Sequence, residues 1–588
     1  MNKFITRKRL KEKTIKENGL FVVKAGPGSG KTTCVAKRLA EKHVKWKYSN
    51  RGIVTISFTN VAWKKIEDIL SKQFNINIPI SYPHFLGTID SFINQYIFLP
   101  FGHLVMGCNK RPELVGPPYN DWEPIGSGWR YWKNKECNSY CKLNNFSYDI
   151  NDNLFDFSPK NHFNNCESNH RYCEKLKKEF NQDGYATQLD ANYFALKILK
   201  KFPQIAKALN YRFPVLMIDE AQDTSEIQMK IVDLLIENGL KEVMLIGDPD
   251  QAIFEWRTAK PKLFEEKYKR WKYVNLKENY RSSQKICNFF SEISSFDISL
   301  EAANKEYKDF DFIPQIWEYC ERQNQDEIIR KFLELCKDNK IDLNSKNIAI
   351  LIRSRNFLQE IKGIRSKNNP LEPWNDRISK NIIRSRYLYD IGRYSDAFRT
   401  LERSICEIEK NKSFCSKQEL ESIINEYGFV QWRKEIYRII NFLPSTYKEL
   451  QLGEWVKQSK EILENNISII SNSNFQLKIK GDRKPNKYSE SHFDDIFAKK
   501  EARTDEKNYT IGTIHSVKGE TFVAVLLFVR KNAGNSQKYS NVLKSKIEEN
   551  EELRTIYVAI TRPRKVLVIA VPKGEKVIWE DKFFKGIN

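Results

Sequence analysis

Residues 25–33 read Ala-Gly-Pro-Gly-Ser-Gly-Lys-Thr-Thr, directly after the apolar run Phe21-Val22-Val23. An apolar run of that kind is a buried strand, and glycines at 26, 28 and 30 let successive backbone amides turn inward. Inward amides form a cradle for an anion. A helix starting near Thr32 would aim the positive end of its dipole at the same point. The pattern therefore specifies a strand, a phosphate-binding loop and a helix, and its ligand is the polyphosphate of a nucleoside triphosphate. Lys31 is expected to reach the β and γ phosphates, and Thr32 to ligate magnesium. Ala25 stands where the strict pattern has its first glycine. The candidate nucleotide-binding residues are Ala25, Gly26, Pro27, Gly28, Ser29, Gly30, Lys31, Thr32 and Thr33.

Further short apolar runs end in similarly reactive loops. Ile53 to Ile56 precedes Ser57-Phe58-Thr59-Asn60, Val215 to Ile218 precedes an acidic pair, and Val243 to Ile246 precedes Gly247-Asp248. A second set follows at Ile348 to Ile352, Val523 to Val529 and Val566 to Val571. Buried strands separated by helical stretches predict parallel α/β sheets, and the two sets predict two such cores. Long stretches interrupt both sets, at about 101–204 and about 361–500. The second reads as helical: Tyr387, Leu388, Ile391, Tyr394, Phe398, Leu401 and Ile405 follow helical spacing. Gly392-Arg393-Tyr394 with Ala397 resembles a tetratricopeptide fragment, but no second copy exists, so an ordinary helical core is expected.

Asp219-Glu220-Ala221-Gln222-Asp223 follows a predicted strand. An acidic pair in that position, downstream of a phosphate loop, has a chemical use. Asp219 would hold magnesium and Glu220 would polarise the attacking water as general base.

The chain has 98 basic and 75 acidic residues, a net charge of +23, which favours a polyanionic partner through counterion release. No run of eighteen apolar residues exists and the first residues lack the apolar centre of a signal peptide, so no membrane partner and a cytoplasmic location are expected. Scattered cysteines in apolar segments, such as Cys34 and Cys336, agree with that. Cys137, Cys141, His162, Cys166, His170 and Cys173 have a spacing that permits a structural zinc site. They lack a Cys-x-x-Cys pair, and reduced, non-ligating thiols are the expectation.

Taken in order, the motifs resemble those of the superfamily-one UvrD/Rep/PcrA helicases. Gly247-Asp248-Pro249-Asp250-Gln251-Ala252-Ile253-Phe254-Glu255-Trp256-Arg257 resembles the third motif. Leu276 to Ser283 resembles the fourth, Ile511 to Gly519 the fifth and Arg554 to Arg562 the sixth. The resemblance implies two RecA-like parallel-sheet domains in tandem, each with an inserted, mostly helical accessory domain. The expected boundaries are 1–100 with 205–275 (1A), 101–204 (1B), 276–360 with 501–588 (2A) and 361–500 (2B). It also implies that Gln251 senses the γ phosphate and that Arg281 and Arg562 complete the catalytic site, beside Lys31 and Glu220. For the DNA strand it implies contacts from Phe58, Thr59, Asn60, Thr88, Phe254, Trp256 and His515. Arg353 and Arg355, at the end of the Ile348 strand, are further candidates for phosphates.

Two departures from the family pattern stand out. The first 24 residues contain no glutamine, where the family reads adenine with one, so another nucleoside triphosphate could replace ATP. The fifth motif ends Lys518-Gly519-Glu520-Thr521-Phe522, with its carboxylate displaced by one position. The expected function is an ATP-dependent helicase or translocase on single-stranded DNA, or on duplex with a single-stranded tail, moving 3′ to 5′. An alternative is a DNA-sensing NTPase subunit that resembles the UvrD-like subunit of Gabija anti-phage systems. Such a protein would work in a hetero-oligomer with an OLD/TOPRIM-type nuclease. A minor alternative is a non-catalytic DNA-binding scaffold. With 26 residues after Arg562, any DNA cutting is expected from a partner chain.

Overall fold

A computed structural model describes residues 18–58, 60–76, 80, 82–119, 144, 146–156, 171–253, 259–295, 300–320, 324–353, 357–358, 361, 373–390, 392–410, 417–446, 450–466, 476–480, 488–491, 493–496, 509–533 and 537–584. The chain divides into two compact units, Met1–Ile364 with Lys507–Asn588, and Arg365–Glu506.

The first unit contains two large parallel sheets, beside three two-stranded ones. One is built from β1 (Leu20–Ala25), β2 (Ile53–Ser57), β3 (Phe85–Thr88), β4 (Val215–Ile218), β5 (Glu242–Gly247) and β6 (Lys272–Leu276). Their order is β6-β1-β5-β4-β2-β3, with every neighbouring pair parallel. Burial on both faces explains why the central strands are mostly apolar at successive positions. Val22, Val54, Leu216 and Leu245 feed the core on one face, while Phe21, Val23, Met217 and Ile246 feed the core on the other. The second sheet comprises β7 (Gln315–Tyr319), β8 (Ile348–Ile352), β9 (Thr510–Thr513), β10 (Phe522–Phe528) and β11 (Pro563–Pro572), in the order β7-β11-β10-β8-β9 and again all parallel. Leu351, Leu527 and Ile569 face one core, and Ile350, Leu526 and Val568 the other.

In open parallel sheets the loops at the carboxyl ends of strands carry function, because helices cover both faces. The first sheet follows that rule. The phosphate loop leaves β1, Phe58 follows β2, Asp219 follows β4 and Asp248 follows β5. The ends stay level because the register is tight; Asp219 N–H donates to Ile56 O at 2.8 Å.

The described part of the first insertion is anchored in this core. Helix Gln188–Lys201 starts on a capping box between Thr187 and Asp190. It places Ala195, Leu196, Ile198 and Leu199 in the same cluster as Val22 and Leu245. Asp190 is fully buried, and its charge is matched by Lys177 Nζ at 2.7 Å and by the Ser147 hydroxyl at 2.9 Å.

The second unit is helical: Arg377–Asp390, Tyr394–Glu409, Lys417–Tyr427, Phe429–Phe442 and Leu452–Asn466 are its long helices. Ile383, Leu388, Leu401, Ile405, Trp432, Ile436 and Trp455 form its core. Of the residues with helical spacing, Leu388, Leu401 and Ile405 are core, Phe398 lies at the margin and Ile391 falls outside the described residues. Tyr394 is not core. It is 57% exposed, since it is the first residue of its helix after the left-handed turn at Gly392. Cys34, Cys108, Cys173, Cys287, Cys320 and Cys336 are free thiols, whereas Cys406 in this unit is disulfide-bonded, a departure from uniformly reduced cysteines. Among the described residues no helix is long and apolar enough to cross a membrane.

Candidate nucleotide site

The phosphate loop adopts the geometry its glycines allow. Gly28 and Gly30 have φ of 67° and 85°, and Gly30 caps the helix Lys31–Val44. Lys31 opens that helix and is buried. Its charge lowers the pKa of four carboxylates, Asp219, Glu220, Asp223 and Asp248, so the ammonium lies at the centre of the acidic cluster. The Thr32 hydroxyl donates to Asp219 Oδ2 at 3.0 Å. A hydroxyl and a fully buried carboxylate in contact are the donor set of a hard divalent cation. Burial, then the charge of Glu220, push the Asp219 carboxyl up; a dication would relieve both effects.

Glu220 sits at φ 54°, a left-handed conformation that costs a non-glycine residue energy and is found most often at functional sites. Burial pushes its carboxyl up, but Lys31 and Lys518 outweigh it and hold the group well below the usual carboxylate range. Gln222 orients it: Nε2 donates to Glu220 Oε2 at 2.7 Å, while Oε1 accepts from Asp248 N–H at 3.0 Å.

The second sheet's segments close over this cluster. They grip residues 250–253 one after another. Asp250 Oδ2 accepts from the Ser294 hydroxyl at 2.9 Å and Ser295 N–H at 2.7 Å. Gln251 Oε1 accepts from Arg562 Nη2 at 2.9 Å, and its carbonyl from Lys518 Nζ at 2.9 Å. Ala252 O accepts from Arg554 Nε at 2.8 Å, and His515 hydrogen-bonds the Ile253 backbone. Arg281 lies against the phosphate loop: a Cβ on Gly28 would meet Arg281 Cβ at 2.7 Å. Burial and then Arg562 push the Arg281 guanidinium down, and Glu220 opposes them. Two guanidiniums, Lys31 and the Glu220 carboxylate thus share one site, with cationic charge poised for an added anion.

Of the strand candidates, Thr59, Phe254, Trp256 and Arg355 lie outside the described residues, and Asn60 begins the helix Asn60–Phe74 with its side chain also outside them. Phe58 packs against the second sheet's core. The Thr88 hydroxyl caps the next helix by accepting from Ser91 N–H at 3.1 Å. Arg353 is held bidentately by Glu552, at 2.8 and 2.5 Å, so its charge is already matched within the second core. His515 turns inward; burial, then Arg353, push its imidazole down to about 4, and the ring is neutral at neutral pH. For zinc, Cys137, Cys141, His162, Cys166 and His170 lie outside the described residues, and Cys173 is buried in the helix Arg171–Gln182. Among the described residues no group of three or more His, Cys, Asp and Glu is set to hold a metal.

Three residues in the cluster carry no role in the motif reading. Gln222 is one. Lys65 is another: partial desolvation, then Arg281 and Arg562, lower its ammonium, while Asp219 and Glu220 oppose them. Lys518 is the third, with Nζ 2.6 Å from Asp223 Oδ2 in a nearly fully buried ion pair. Burial pushes Asp223 up to about 6 even though Lys518 opposes it. A carboxylate raised in the folded state costs stability as pH rises from its ordinary value near 4 through about 6. Lys518 offsets that cost only where Asp223 is ionised. Lys518→Met is therefore expected to destabilise the protein by about 3 kcal/mol at pH 8. The deficit should shrink below pH 6, measured as the difference in Tm across a pH series. A deficit independent of pH would remove the ion pair as its cause.

Paired parallel sheets, with a phosphate loop on one and two arginines brought to it from beyond the first sheet, define a two-core, phosphate-loop protein. Residues 7–272 match the UvrD/REP helicase N-terminal domain and residues 357–574 the UvrD-like helicase C-terminal domain; the chain belongs to the UvrD-like helicase family. It is 29% identical over 229 residues to the exonuclease/helicase subunit RexA of Lactococcus lactis subsp. cremoris (strain MG1363), covering 33% of this chain and 19% of that protein. It is 33% identical over 129 residues to the A subunit of the ATP-dependent helicase/nuclease of Streptococcus pneumoniae (strain Hungary19A-6), covering 21% and 10%. With the corresponding helicase/nuclease protein of Lactococcus lactis subsp. lactis (strain IL1403) it shares 28% identity over 259 residues, covering 38% and 20%. The chain thus spans a fifth or less of the length of these curated relatives.

Proposed function

We propose that this chain is an ATP-driven helicase or translocase on single-stranded DNA that moves 3′ to 5′ in the cytoplasm. One observation supports the reading: Arg562 of the second core donates to Gln251 of the first at 2.9 Å, and its guanidinium interacts with the Glu220 and Asp248 carboxylates. Lys31 binds the β and γ phosphates from the loop side. Thr32 and Asp219 would hold magnesium, which would supply charge neutralisation for the triphosphate. Glu220 accepts the proton of the attacking water. It is strongly acidic while Lys31 and Lys518 face it alone; once Lys31 shares its charge with phosphate, the carboxylate becomes more basic and better suited to that task. Arg281 and Arg562 stabilise charge on the phosphoryl group in flight. Closure with the triphosphate and opening after hydrolysis would then ratchet the cores along a strand held by Thr88 and the segments after β2 and β5.

Phosphate release with and without single-stranded DNA tests the activity. Stimulation of at least about tenfold is expected, with salt sensitivity from phosphate contacts. Hydrolysis indifferent to DNA would remove the motor reading. Duplexes with a 3′ or a 5′ tail test direction, and unwinding from the 5′ tail would reverse the assignment.

The relatives' names favour one second reading. Each is part of a helicase/nuclease. In this reading a nuclease is the partner in a hetero-oligomer, and hydrolysis reports DNA to it; the OLD/TOPRIM type rests on the motif resemblance and not on those names. Co-purification from the native host distinguishes this from a helicase acting alone. The intact Lys31, Glu220, Gln251, Arg281 and Arg562 argue against a catalytically dead scaffold.

A further inference from the structure

The chain passes from the first core to the second through residues 276–283, and this crossing is fastened on both sides. Toward the phosphate loop, the fully buried Asn279 donates from Nδ2 to Pro27 O at 2.8 Å. Beside it, Tyr280 N–H donates to Gly28 O at 2.8 Å. The other end of the same amide group points the opposite way: Asn279 Oδ1 accepts from Arg281 N–H at 2.7 Å and Ser282 N–H at 2.8 Å. Beyond them, Arg281 Nη1 donates to Thr561 O at 2.9 Å, the Ser282 hydroxyl to Pro563 O at 2.7 Å and Ser283 N–H to Arg564 O at 2.9 Å. Those three carbonyls bracket Arg562. The fit at Gly28 is close, since a Cβ there would lie 2.6 Å from Asn279 Oδ1.

We propose that Asn279 is a positioning residue that locks the phosphate loop to Arg281, so that a triphosphate seated in the loop sets the arginine's position directly. The chemistry selects an amide. The side chain must donate to a carbonyl on one side and accept from two N–H groups on the other, in a fully buried setting. An aspartate keeps the acceptor and the shape but cannot donate to Pro27 O. An alanine abandons one carbonyl and two N–H groups in a buried setting, which is costly whatever the function. Aspartate is therefore the informative replacement: it cuts the side-chain link to Pro27 O, leaves the Tyr280 N–H bond to Gly28 O, and spares the turn that holds Arg281.

The inference rests on the nucleotide-site reading above, and the test separates the two. Strand-stimulated phosphate release is measured for Asn279→Asp, Arg281→Ala and the double variant, with a fluorescent ATP analogue reporting nucleotide affinity. Asn279→Asp should lower kcat about tenfold with a smaller change in KM, because a misplaced arginine is missed mainly in the transition state. Combined with Arg281→Ala, it should cost little more than Arg281→Ala alone, since residues acting through one another are not additive. A merely structural role would not produce that coupling. Effects that multiply, or an Asn279→Asp variant with wild-type kcat, would overturn the proposal. Full activity in Lys31→Ala would instead sink the nucleotide site itself, whatever the cycle shows.

Discussion

Arg562→Ala is expected to lower the strand-stimulated turnover of ATP about 1000-fold while changing nucleotide affinity only a few-fold. The arginine is almost completely buried and is held on three sides. Nε donates to Val558 O at 2.8 Å, Nη1 reaches Glu520 O at 3.4 Å and Nη2 donates to Gln251 Oε1 at 2.9 Å. A guanidinium fixed in this way reorganises little when charge develops on the phosphoryl group, which is where electrostatic catalysis has its largest effect. Burial lowers it to about 10, against the pull of Glu220 and Asp248, so it stays charged throughout the working pH range. Lysine should not rescue the loss, because one ammonium cannot satisfy Val558 O and Gln251 together from a planar fork's position. Phosphate release under saturating strand, beside equilibrium binding of a fluorescent ATP analogue, measures both quantities. A variant within threefold of wild type would mean that Arg562 serves only to hold the two cores together.

Central strands are legible in the sequence and edge strands are not. β1, β2, β4 and β5 are flanked on both sides by other strands, as are β8, β10 and β11, and each is visible as a mostly apolar run, broken in β2 by Thr55. Within the two large sheets, the four strands that hydropathy does not reveal, β3, β6, β7 and β9, are the outer ones. An edge strand is partly solvated, so β6 can expose Lys272 and Tyr273 and β3 can contain a glycine without losing its place. The same distinction holds in the site. Lys31, Asp219, Glu220, Gln251, Arg281 and Arg562 belong to motifs whose local spacing has a chemical reason, and the fold brings them to one cluster. Lys65, Gln222, Asn279 and the Lys518–Asp223 pair have roles that depend on residues far away in sequence, which no local pattern reveals. Arg353 illustrates the converse. Its position at a strand end suggests a phosphate contact, but Glu552, 199 residues later, supplies its carboxylate.

Lys31→Ala is expected to abolish hydrolysis, by about 1000-fold or more, and to leave binding of single-stranded DNA in the absence of nucleotide unchanged. The loss has two physical parts. One is the contact with the β and γ phosphates. The other is visible without any nucleotide. Lys31 lowers the pKa of Asp219, Glu220, Asp223 and Asp248 together, and three of these are already raised above their ordinary value by burial. Without the ammonium, all four would hold protons more tightly in the folded state than they do beside it. Stability carried by a raised carboxylate is present at low pH and is lost as pH rises through the folded-state pKa. The variant's Tm deficit should therefore widen from pH 5 to pH 8, whereas losing an exposed, unpaired lysine would leave the deficit flat across that range. Lys31→Met, which preserves most of the apolar stem, should show the same widening. Scanning calorimetry across that range is the decisive measurement. A flat deficit would show that the lysine does not govern the acidic cluster, and the assignment of Glu220 as an ionised base beside it would fail as well.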